Sequence, residues 1–538
     1  MTKTISATDL KHALDSQDEL ALFDLREQGV FTQGHLLFAM CLSLSRLELA
    51  ITDLVPRKTT PIVVCDGGAE EQWDLAARGA ARLAELGYGD VAILEGGVPG
   101  WAAAGYEVFS GVNVPSKAFG EFVEHRYDTP HLSAEALKAE MDAGRDMVIL
   151  DSRPIEEYHR MSIPGGVDMP GAELVYRVHE LAPDPDTLVV VNCAGRTRSI
   201  IGAQSLINAG IPNQVMALKD GTMGWHLAGL TLDHGQDRRW PGVSKGGLAA
   251  AKAAADRVRA RFGVKAIDRD ELADWQAATD TQTLYVLDVR QPEEFENGHL
   301  PGSRNAPGGQ LVQATDEYVG TRNARIVLVD DTEVRAVMTA SWLVQMGWTE
   351  VRVLAGGLGS AGLETGPRSV ALPTMEAAPR MDVATLNAAL EQGNGVVVVD
   401  LATSLQYRDG HIPRAWWAIR ARFSSALFRL PPVDRVVLTS PDGRLAELAF
   451  ADAKAARPEL EISILDGGTA AWKAAGLALE EGANYMTCDT DDVWYKPYDR
   501  EGGVERWMQD YLTWEVGLVD QINRDGGTDF RYFAAIGD

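Results

Sequence analysis

Residues 189–210 read VVVNCAGRTRSIIGAQSLINAG, and they place one cysteine between two different apolar patterns. The β-branched run before Cys193 predicts a buried strand, and the run after Arg198 repeats apolar and small residues at helical spacing. A strand that enters a helix through a short glycine-containing loop is typical of an α/β unit. Such a loop directs several backbone N–H groups and the positive end of the helix towards one place, which favours an anion there.

The same order of features occurs four times along the chain. A strand-like segment ends in an aspartate, a second strand and a helix follow, and a third strand leads into a glycine turn. The first segments of the four units are LALFDLRE, DMVILDSRP, LYVLDVRQP and GVVVVDLAT, which contain Asp24, Asp151, Asp288 and Asp400. Strands that alternate with helices predict parallel sheets covered on both faces. The expected fold class is α/β, with four tandem units that each contain a small, mainly parallel sheet flanked by helices.

Changes in composition divide the chain into five parts. The four units are expected at 1–112, 128–235, 264–368 and 380–482, followed by a C-terminal extension at 483–538 that is rich in aromatic and acidic residues. The joint between the second and third units contains an alanine-rich segment that predicts a helix of its own. The aromatic residues of the extension argue against disorder. We expect it to pack over another domain or against a second subunit in a homodimer, and a lid over the active site is the functional alternative.

The overall composition excludes several classes of protein. A net charge of −27 opposes binding to nucleic acid and to anionic membranes. A hydrophobic content of 46% with 24% charged residues is typical of a globular chain. The sequence contains no apolar run of the length of a signal peptide or a membrane span, so we expect a cytoplasmic protein. Four cysteines that lie far apart predict neither a disulfide framework nor a metal site.

Cys193 is the candidate nucleophile. At the centre of an anion-binding loop the thiolate is favoured over the thiol, which predicts a pKa below the free value of about 8.5, and Arg196 and Arg198 are expected to strengthen the effect. The thiolate can attack an electrophilic sulfur and hold it as a persulfide, whose terminal sulfur the same N–H groups stabilise. This chemistry needs a small-molecule sulfur donor and an acceptor, and it needs no metal or organic cofactor.

With these features the chain resembles the rhodanese sulfurtransferase family, in which an α/β domain carries a six-residue loop that begins with the persulfide-forming cysteine. The strand-end aspartates, the GHLPG turn at 298–302 and the DGG turn at 466–468 fit that family. The resemblance implies that Cys193 accepts sulfur and that Asp151 organises the strand end. It implies that Arg153 either faces the substrate or forms a structural ion pair. It assigns the anion cradle, and with it substrate binding, to Ala194, Gly195, Arg196, Thr197 and Arg198.

The resemblance also implies an activity, that of a thiosulfate sulfurtransferase-type enzyme of sulfur metabolism. Sulfane sulfur would move from an anionic donor, thiosulfate or a low-molecular-weight persulfide, through a Cys193 persulfide to a thiol or cyanide. The basic loop favours a thiosulfate-type donor. The donor stays open, however, because Glu157 and Tyr158 stand where two-domain members of the family carry a substrate-binding arginine before an aromatic residue.

The other three units lack a complete loop. In unit one the equivalent place holds Cys65 followed by Asp66, and a nearby acid raises the pKa of a thiol. Cys65 is expected to be structural, and a secondary role as a persulfide relay is the alternative. Asp330 in unit three and Ser440 in unit four are not expected to form a persulfide, so both units are expected to be inactive.

Two other functions fit parts of the pattern. A cysteine-dependent phosphatase or arsenate reductase also uses a thiolate in an anion loop. Such phosphatases place five residues between cysteine and arginine, whereas Arg198 follows Cys193 after four. A non-catalytic sulfur carrier or scaffold protein is favoured by the three degenerate loops and opposed by the one intact loop.

Overall fold

The computed structural model describes residues 3–534 except 361, 369, 371, 375, 376 and 394, with the backbone alone at residue 70. The predicted ends of unit one and of the extension, 1–2 and 535–538, lie outside the described residues. The described residues form four five-stranded sheets, and every strand pair within them is parallel. This confirms the α/β class and the four tandem units.

Unit one shows the arrangement that the other units repeat. Its strands are Lys3–Ile5 (β1), Ala21–Asp24 (β2), Met40–Cys41 (β3), Ile62–Cys65 (β4) and Val91–Leu94 (β5), and its helices are Ala7–Leu14 (α1), Gln28–Phe31 (α2), Leu47–Leu54 (α3), Leu75–Glu85 (α4) and Gly97–Ala103 (α5). The sheet order is β1-β5-β4-β2-β3, so the central strand β4 lies between two long neighbours. A linker helix, Val114–Tyr127 (α6), leads into unit two.

Unit two has the same sheet order. Its strands are His131–Leu132 (β6), Met147–Asp151 (β7), Val167–Asp168 (β8), Leu188–Asn192 (β9) and Val215–Leu218 (β10), and its helices are Ala134–Asp142 (α7), Ile155–Arg160 (α8), Glu173–Leu181 (α9), Thr197–Ala209 (α10) and Gly221–Leu227 (α11). The predicted helix of the next joint is confirmed as Lys245–Phe262 (α12). The serine N-cap of α12, Ser244, accepts a hydrogen bond from the N–H of Gly247, which explains where this helix begins.

Units three and four complete the series. The strands of unit three are Lys265–Ile267 (β11), Leu284–Asp288 (β12), Arg304–Asn305 (β13), Arg325–Val329 (β14) and Val351–Leu354 (β15), and its helices are Arg269–Ala277 (α13), Pro292–Asn297 (α14), Gly308–Gln313 (α15), Thr315–Tyr318 (α16) and Val334–Gln345 (α17). The strands of unit four are Arg380–Met381 (β16), Val396–Asp400 (β17), Trp416–Trp417 (β18), Arg435–Thr439 (β19) and Glu461–Leu465 (β20), and its helices are Val383–Gln392 (α18), Ser404–Asp409 (α19), Phe423–Ala426 (α20), Arg444–Ala456 (α21) and Gly468–Ala474 (α22).

The units associate in two pairs that share apolar cores. One continuous core joins units two and three through α12, with Phe262 and Val258 of that helix fully covered. A second core joins units one and four and contains the buried Trp417. Unit one also contacts unit three, because the Tyr285 hydroxyl hydrogen-bonds the carbonyl of Leu54. The four units therefore pack against one another and are not independent domains joined only by linkers.

The C-terminal extension packs over other domains, as predicted. Residues 483–503, here called the strap, run from unit four towards unit two and end at the helix Val504–Asp525 (α23). The N–H of Gly29 in unit one donates to the strap carbonyl of Asp491 (2.9 Å). Helix α23 then lies against α6, and its buried face includes Leu512 and Leu518. No helix in the described part of the chain is long and apolar enough to cross a membrane.

A buried arginine forms an ion pair between unit three and unit two. Arg335 at the start of α17 is fully buried and donates to Glu173 of unit two (2.8 Å), Glu294 (2.7 Å) and Asp331 (2.8 Å). Removal of a buried ion partner leaves uncompensated charge in a medium of low polarity.

We therefore expect Arg335→Ala to lower the midpoint of thermal unfolding by several degrees, because loss of one partner of a buried ion pair costs about 3–5 kcal/mol. Calorimetry measures this midpoint. The control is Arg506→Ala, which breaks an ion pair with Asp510 on the surface of α23, where the arginine is 86% exposed, and should leave the midpoint unchanged. Equal midpoints for the two variants would contradict the assigned role of Arg335.

Candidate active site

Cys193 directly follows the central strand of unit two and lies in a loop that hydrogen bonds hold in place. Strand β9 is buried along its whole length, and the loop after it leads directly into α10. The carbonyl of Cys193 accepts a hydrogen bond from the N–H of Thr222 (2.9 Å), and the carbonyl of Ala194 accepts one from Met223 (3.0 Å). Gly221 permits this approach, because its φ is +56° and a Cβ there would lie 2.3 Å from the Cys193 carbonyl oxygen. The first turn of α11 thus fixes the loop.

The Cys193 thiol is buried, and the residue is only 2% exposed. Its Sγ donates a hydrogen bond to the Oγ of Ser199 (3.6 Å), whose hydroxyl donates to the carbonyl of Arg196 (2.8 Å). Burial raises the pKa of the Cys193 thiol; Arg198 and Ser199 act in the opposite direction, and Glu515 adds to the rise. The predicted lowering of the pKa is therefore wrong for this buried thiol, because loss of water destabilises the thiolate more than the loop and Arg198 stabilise it.

Arg198 faces the cavity but is already paired. Its guanidinium donates to both carboxylate oxygens of Glu157 (2.8 and 3.1 Å) and to the Oε1 of Gln310 from unit three (3.2 Å). Burial acts to raise the pKa of Glu157, but Arg198 and then Lys496 lower it to about 2. Glu157 is therefore ionised, and Arg198 contributes to the cavity as half of an ion pair.

Arg196 points away from the thiol. Its guanidinium donates to both oxygens of Glu121 (2.7 and 2.8 Å) and to Asp220 (3.2 Å), and it also binds Glu124. Glu121 and Glu124 belong to the linker helix α6. The expectation that both arginines of the loop serve the thiolate is thus met by Arg198 only, because three carboxylates hold the side chain of Arg196.

Arg153 lies behind the cavity wall and is 1% exposed. Its guanidinium donates to both oxygens of Asp151 (2.8 and 2.7 Å) and to the carbonyl of Met161 (2.6 Å). Units one and three repeat this ion pair with Asp24–Arg26 and Asp288–Arg290. Of the two roles expected for Arg153, this geometry favours the structural ion pair, with Asp151 organising the strand end.

Helix α23 of the C-terminal extension covers the loop. A Cβ at Gly195 would lie 3.1 Å from the ring of Tyr511 and 3.2 Å from the Oε2 of Glu515. Gly195 does not have a positive φ, so it is the close contact with side chains of α23, and not backbone strain, that favours a small residue there. The Oε1 of Glu515 accepts hydrogen bonds from Thr197 (3.0 Å) and Tyr511 (3.2 Å) and lies 3.4 Å from the ammonium of Lys117. The extension therefore forms part of the site.

The resulting cavity has a volume of about 290 Å³ and is lined by five parts of the chain. Besides the loop 193–198, Glu157 and Met223 of unit two, its walls consist of Gln28, Val112 and Asn113 near unit one, Lys117 of α6, Gln310, Gln313, Ala314 and Glu317 of unit three, and Trp494, Lys496, Tyr498, Tyr511 and Glu515 of the extension. The cleft is therefore shared between domains and does not belong to unit two alone.

The sheet register corrects the assignment of the loop in unit one. Asp24 pairs with Cys65 across its sheet, whereas Asp151 pairs with Asn192, the residue before Cys193. Cys65 is thus the last residue of its strand, and Asp66 occupies the position of Cys193. Burial, with Asp24 next, raises the pKa of the Cys65 thiol well above its ordinary value. The prediction that Cys65 stands at the equivalent place is wrong by one residue.

In the three other units an oxygen of the protein itself fills the loop. Asp330 accepts hydrogen bonds from the N–H groups of Glu333 (2.6 Å) and Arg335 (2.9 Å). Asp66 accepts bonds from two N–H groups of its own loop and helix (2.9 Å each), and Ser440 Oγ accepts one from Ala446 (3.3 Å). The convergent N–H groups are therefore a property of the unit, and in unit two the residue at this position is a thiol.

The sequence profile of the rhodanese-like domain matches residues 6–104, 133–228, 268–360 and 382–475. The chain belongs to the rhodanese-like domain family. Each matched segment contains four of the five strands of one sheet, and the first strand of each sheet lies just before the matched residues.

Comparison with solved structures gives a full-length relative of this rhodanese-like chain. The crystal structure of thiosulfate sulfurtransferase from Pseudomonas aeruginosa is 51% identical in sequence and superposes with a TM-score of 0.93 over 99% of this chain and 100% of that one. Among curated proteins, the HTH-type transcriptional regulator Rv0324 of Mycobacterium tuberculosis is 32% identical over 123 residues, and the uncharacterized protein YqhL of Bacillus subtilis is 39% identical over 72. These matches take in 21% and 13% of the chain, which spans about half the length of each curated relative (54% and 56%).

Sequence reasoning missed the residues that the linker helix and the extension bring to the rhodanese-like site. Lys117, Lys496, Tyr498, Tyr511 and Glu515 all lie outside the segments that match the family. The sequence of α23 contains one pattern that could have indicated Glu515. The positions 508, 512, 515, 518 and 522 form one face of the helix, and this buried face is apolar except at Glu515. An acid within such a face indicates a partner or a site.

We expect Glu515→Gln to lower the pKa of Cys193, because the carboxylate opposes formation of the thiolate. The rate at which iodoacetamide alkylates Cys193, followed by peptide mass spectrometry from pH 6 to 11, should then rise at lower pH than in the wild type. Asp510→Asn makes the same exchange on the exposed face of α23 and serves as the control. An unchanged midpoint in the Glu515 variant would contradict the electrostatic role.

Proposed function

We propose that the protein is a rhodanese-type thiosulfate sulfurtransferase that carries sulfane sulfur on Cys193. The observation that supports this most strongly is the loop of unit two, in which Cys193 occupies a position that an oxygen of Asp66, Asp330 or Ser440 fills in the other units. The full-length relative named thiosulfate sulfurtransferase agrees with this assignment.

Unit three indicates where an anion would sit. The N–H groups that bind the carboxylate of Asp330 belong to Glu333 and Arg335, which correspond in the loop to Arg196 and Arg198. In unit two the same N–H groups would stabilise the terminal sulfur of a Cys193 persulfide. The proposed cradle is therefore the backbone of residues 194–198 with the side chain of Arg198, and the guanidinium of Arg196 serves to hold α6 against the loop.

The proposed reaction is a double displacement. The Cys193 thiol passes its proton to water, and the thiolate attacks the sulfane sulfur of the donor. The bond between that sulfur and the rest of the donor breaks, and its electron pair leaves with the donor, as sulfite in the case of thiosulfate. A thiol or cyanide then attacks the terminal sulfur of the persulfide, and Cys193 leaves as the thiolate. The protein acts on a small-molecule donor and acceptor without any cofactor.

In this proposal only unit two carries chemistry, within the predicted bounds 128–235. Units one and three contribute to the walls of the cavity, and unit four acts as scaffold. A cysteine-dependent phosphatase is disfavoured because Ser199, not arginine, occupies the longer loop position that a tetrahedral oxyanion needs. Location in the cytoplasm and assembly as a homodimer stay predictions from the sequence.

The test is to incubate the reduced protein with thiosulfate, remove the donor and locate added sulfur by peptide mass spectrometry. We expect one sulfur atom on Cys193 and none on Cys65, whose thiol is buried and lies one residue before the loop position.

The Cys193→Ser variant should take up no sulfur and should fail to convert cyanide to thiocyanate, and Cys65→Ser is the matched control that should retain both properties. Sulfur on Cys65, or transfer by the Cys193 variant, would overturn the assignment.

A further inference from the structure

Two hydrogen-bond donors in the wall of the cavity donate no hydrogen bond to any of the described residues. They are the ammonium of Lys496 and the hydroxyl of Tyr498, both from the strap. Lys496 approaches Glu157 only to 3.9 Å, which is longer than a hydrogen bond, and both oxygens of Glu157 are occupied by Arg198. The strap therefore presents one cation and one hydroxyl to the cavity beside Arg198.

The strap is held in place by other atoms of the same segment, which leaves the two donors free for a ligand. Arg160 of unit two donates to Asp499 (2.7 Å) and to the carbonyl of Tyr498 (3.3 Å), and its guanidinium lies 4.5 Å from the centre of the Tyr498 ring. The backbone N–H of Lys496 donates to Asp499 (3.1 Å). A residue whose side chain served only to anchor the strap would use its polar end for that purpose, and neither Lys496 nor Tyr498 does.

The charges around the cavity single out Lys496 further. Glu515 binds Lys117, Glu157 binds Arg198, and a group of three carboxylates binds Arg196. Glu317 also lines the cavity and accepts a hydrogen bond from the side chain of Asn113. Among the described cations of the wall, Lys496 is the one whose nitrogen makes no hydrogen bond, so it retains the greatest capacity to bind an incoming anion.

We propose that Lys496 and Tyr498 bind the oxyanion end of the sulfur donor, with thiosulfate as the donor to be tested. The sulfonate oxygens of thiosulfate would accept hydrogen bonds from the Lys496 ammonium and the Tyr498 hydroxyl while the sulfane sulfur faces Cys193. This inference rests on the proposed function and adds the residues that select the donor. They lie outside the family domains, in a segment that follows the last of them.

The test is the steady-state transfer of sulfur from thiosulfate to cyanide. Lys496→Ala should raise the KM for thiosulfate about tenfold, the effect of one lost charge-assisted hydrogen bond. Tyr498→Phe keeps the ring against Arg160 and should raise KM several-fold. In both variants kcat should change much less than KM, because the site binds the donor and does not form or break the S–S bond. The effect of Lys496→Ala should shrink at high ionic strength.

The matched control is Arg506→Ala, which removes one positive charge from the exposed face of α23 and should leave the KM unchanged. Unaltered KM values for both Lys496→Ala and Tyr498→Phe would overturn the inference, as would a fall in kcat alone.

A binding measurement separates the failure of this inference from the failure of the proposed function. In the Cys193→Ser background no sulfur can be taken up, so calorimetric titration with thiosulfate reports binding only. Tenfold weaker binding after addition of Lys496→Ala would support the anion site even if the wild type transferred no sulfur. Equal binding with and without Lys496, in a protein that does transfer sulfur, would overturn the anion site and leave the proposed function intact.

Discussion

The loop after each central strand points backbone N–H groups at one place, and those groups need an acceptor. The four units differ in the side chain that accepts hydrogen bonds from these N–H groups. Asp330 meets that need with a carboxylate that two N–H groups bind at 2.6 and 2.9 Å, Asp66 also accepts from two N–H groups, and the hydroxyl of Ser440 accepts from one. Cys193 is the exception, because a neutral thiol is a weak acceptor. In the proposed function a persulfide or a donor anion would be the acceptor in unit two.

The other units contribute in spite of their filled loops, because the cavity cannot be built from unit two alone. Gln310 of unit three binds Arg198, Lys117 of the linker helix binds Glu515, and the strap passes from unit four along unit one before it reaches the site. The two shared cores fix these parts relative to one another. In such an assembly a unit that has no cysteine at the loop position can still be required, since the walls of the cavity in unit two depend on the position of its neighbours.

Much of the fold could be predicted from sequence because it depends on local patterns. Strand, loop and helix follow one another in the same order four times, and the aspartate that ends β2 and its counterparts marks the register. The errors concern partners that lie far away in sequence. Arg196 binds Glu121, which lies 75 residues away in the sequence. Cys65 lies one residue before the loop position, and only its strand pairing with Asp24 shows this. The contact between Glu515 and the loop spans 318 residues, and local spacing could indicate that this acid is buried but not what it touches.

The burial of Cys193 also determines the protonation state of its thiol before a donor binds. Burial and the carboxylate of Glu515 raise the pKa of Cys193, so the resting residue is a neutral thiol, and neutral thiols are poor nucleophiles and resist oxidation. In the proposed reaction the same N–H groups and Arg198, which do not offset the effect of burial on the thiol, would stabilise the negative charge that develops during the attack on sulfur. The negative charge of an anionic donor would raise the pKa of Cys193 further unless a cation offset it, and Lys496, whose ammonium makes no hydrogen bond to a described residue, is the cation of the wall that is placed to do so.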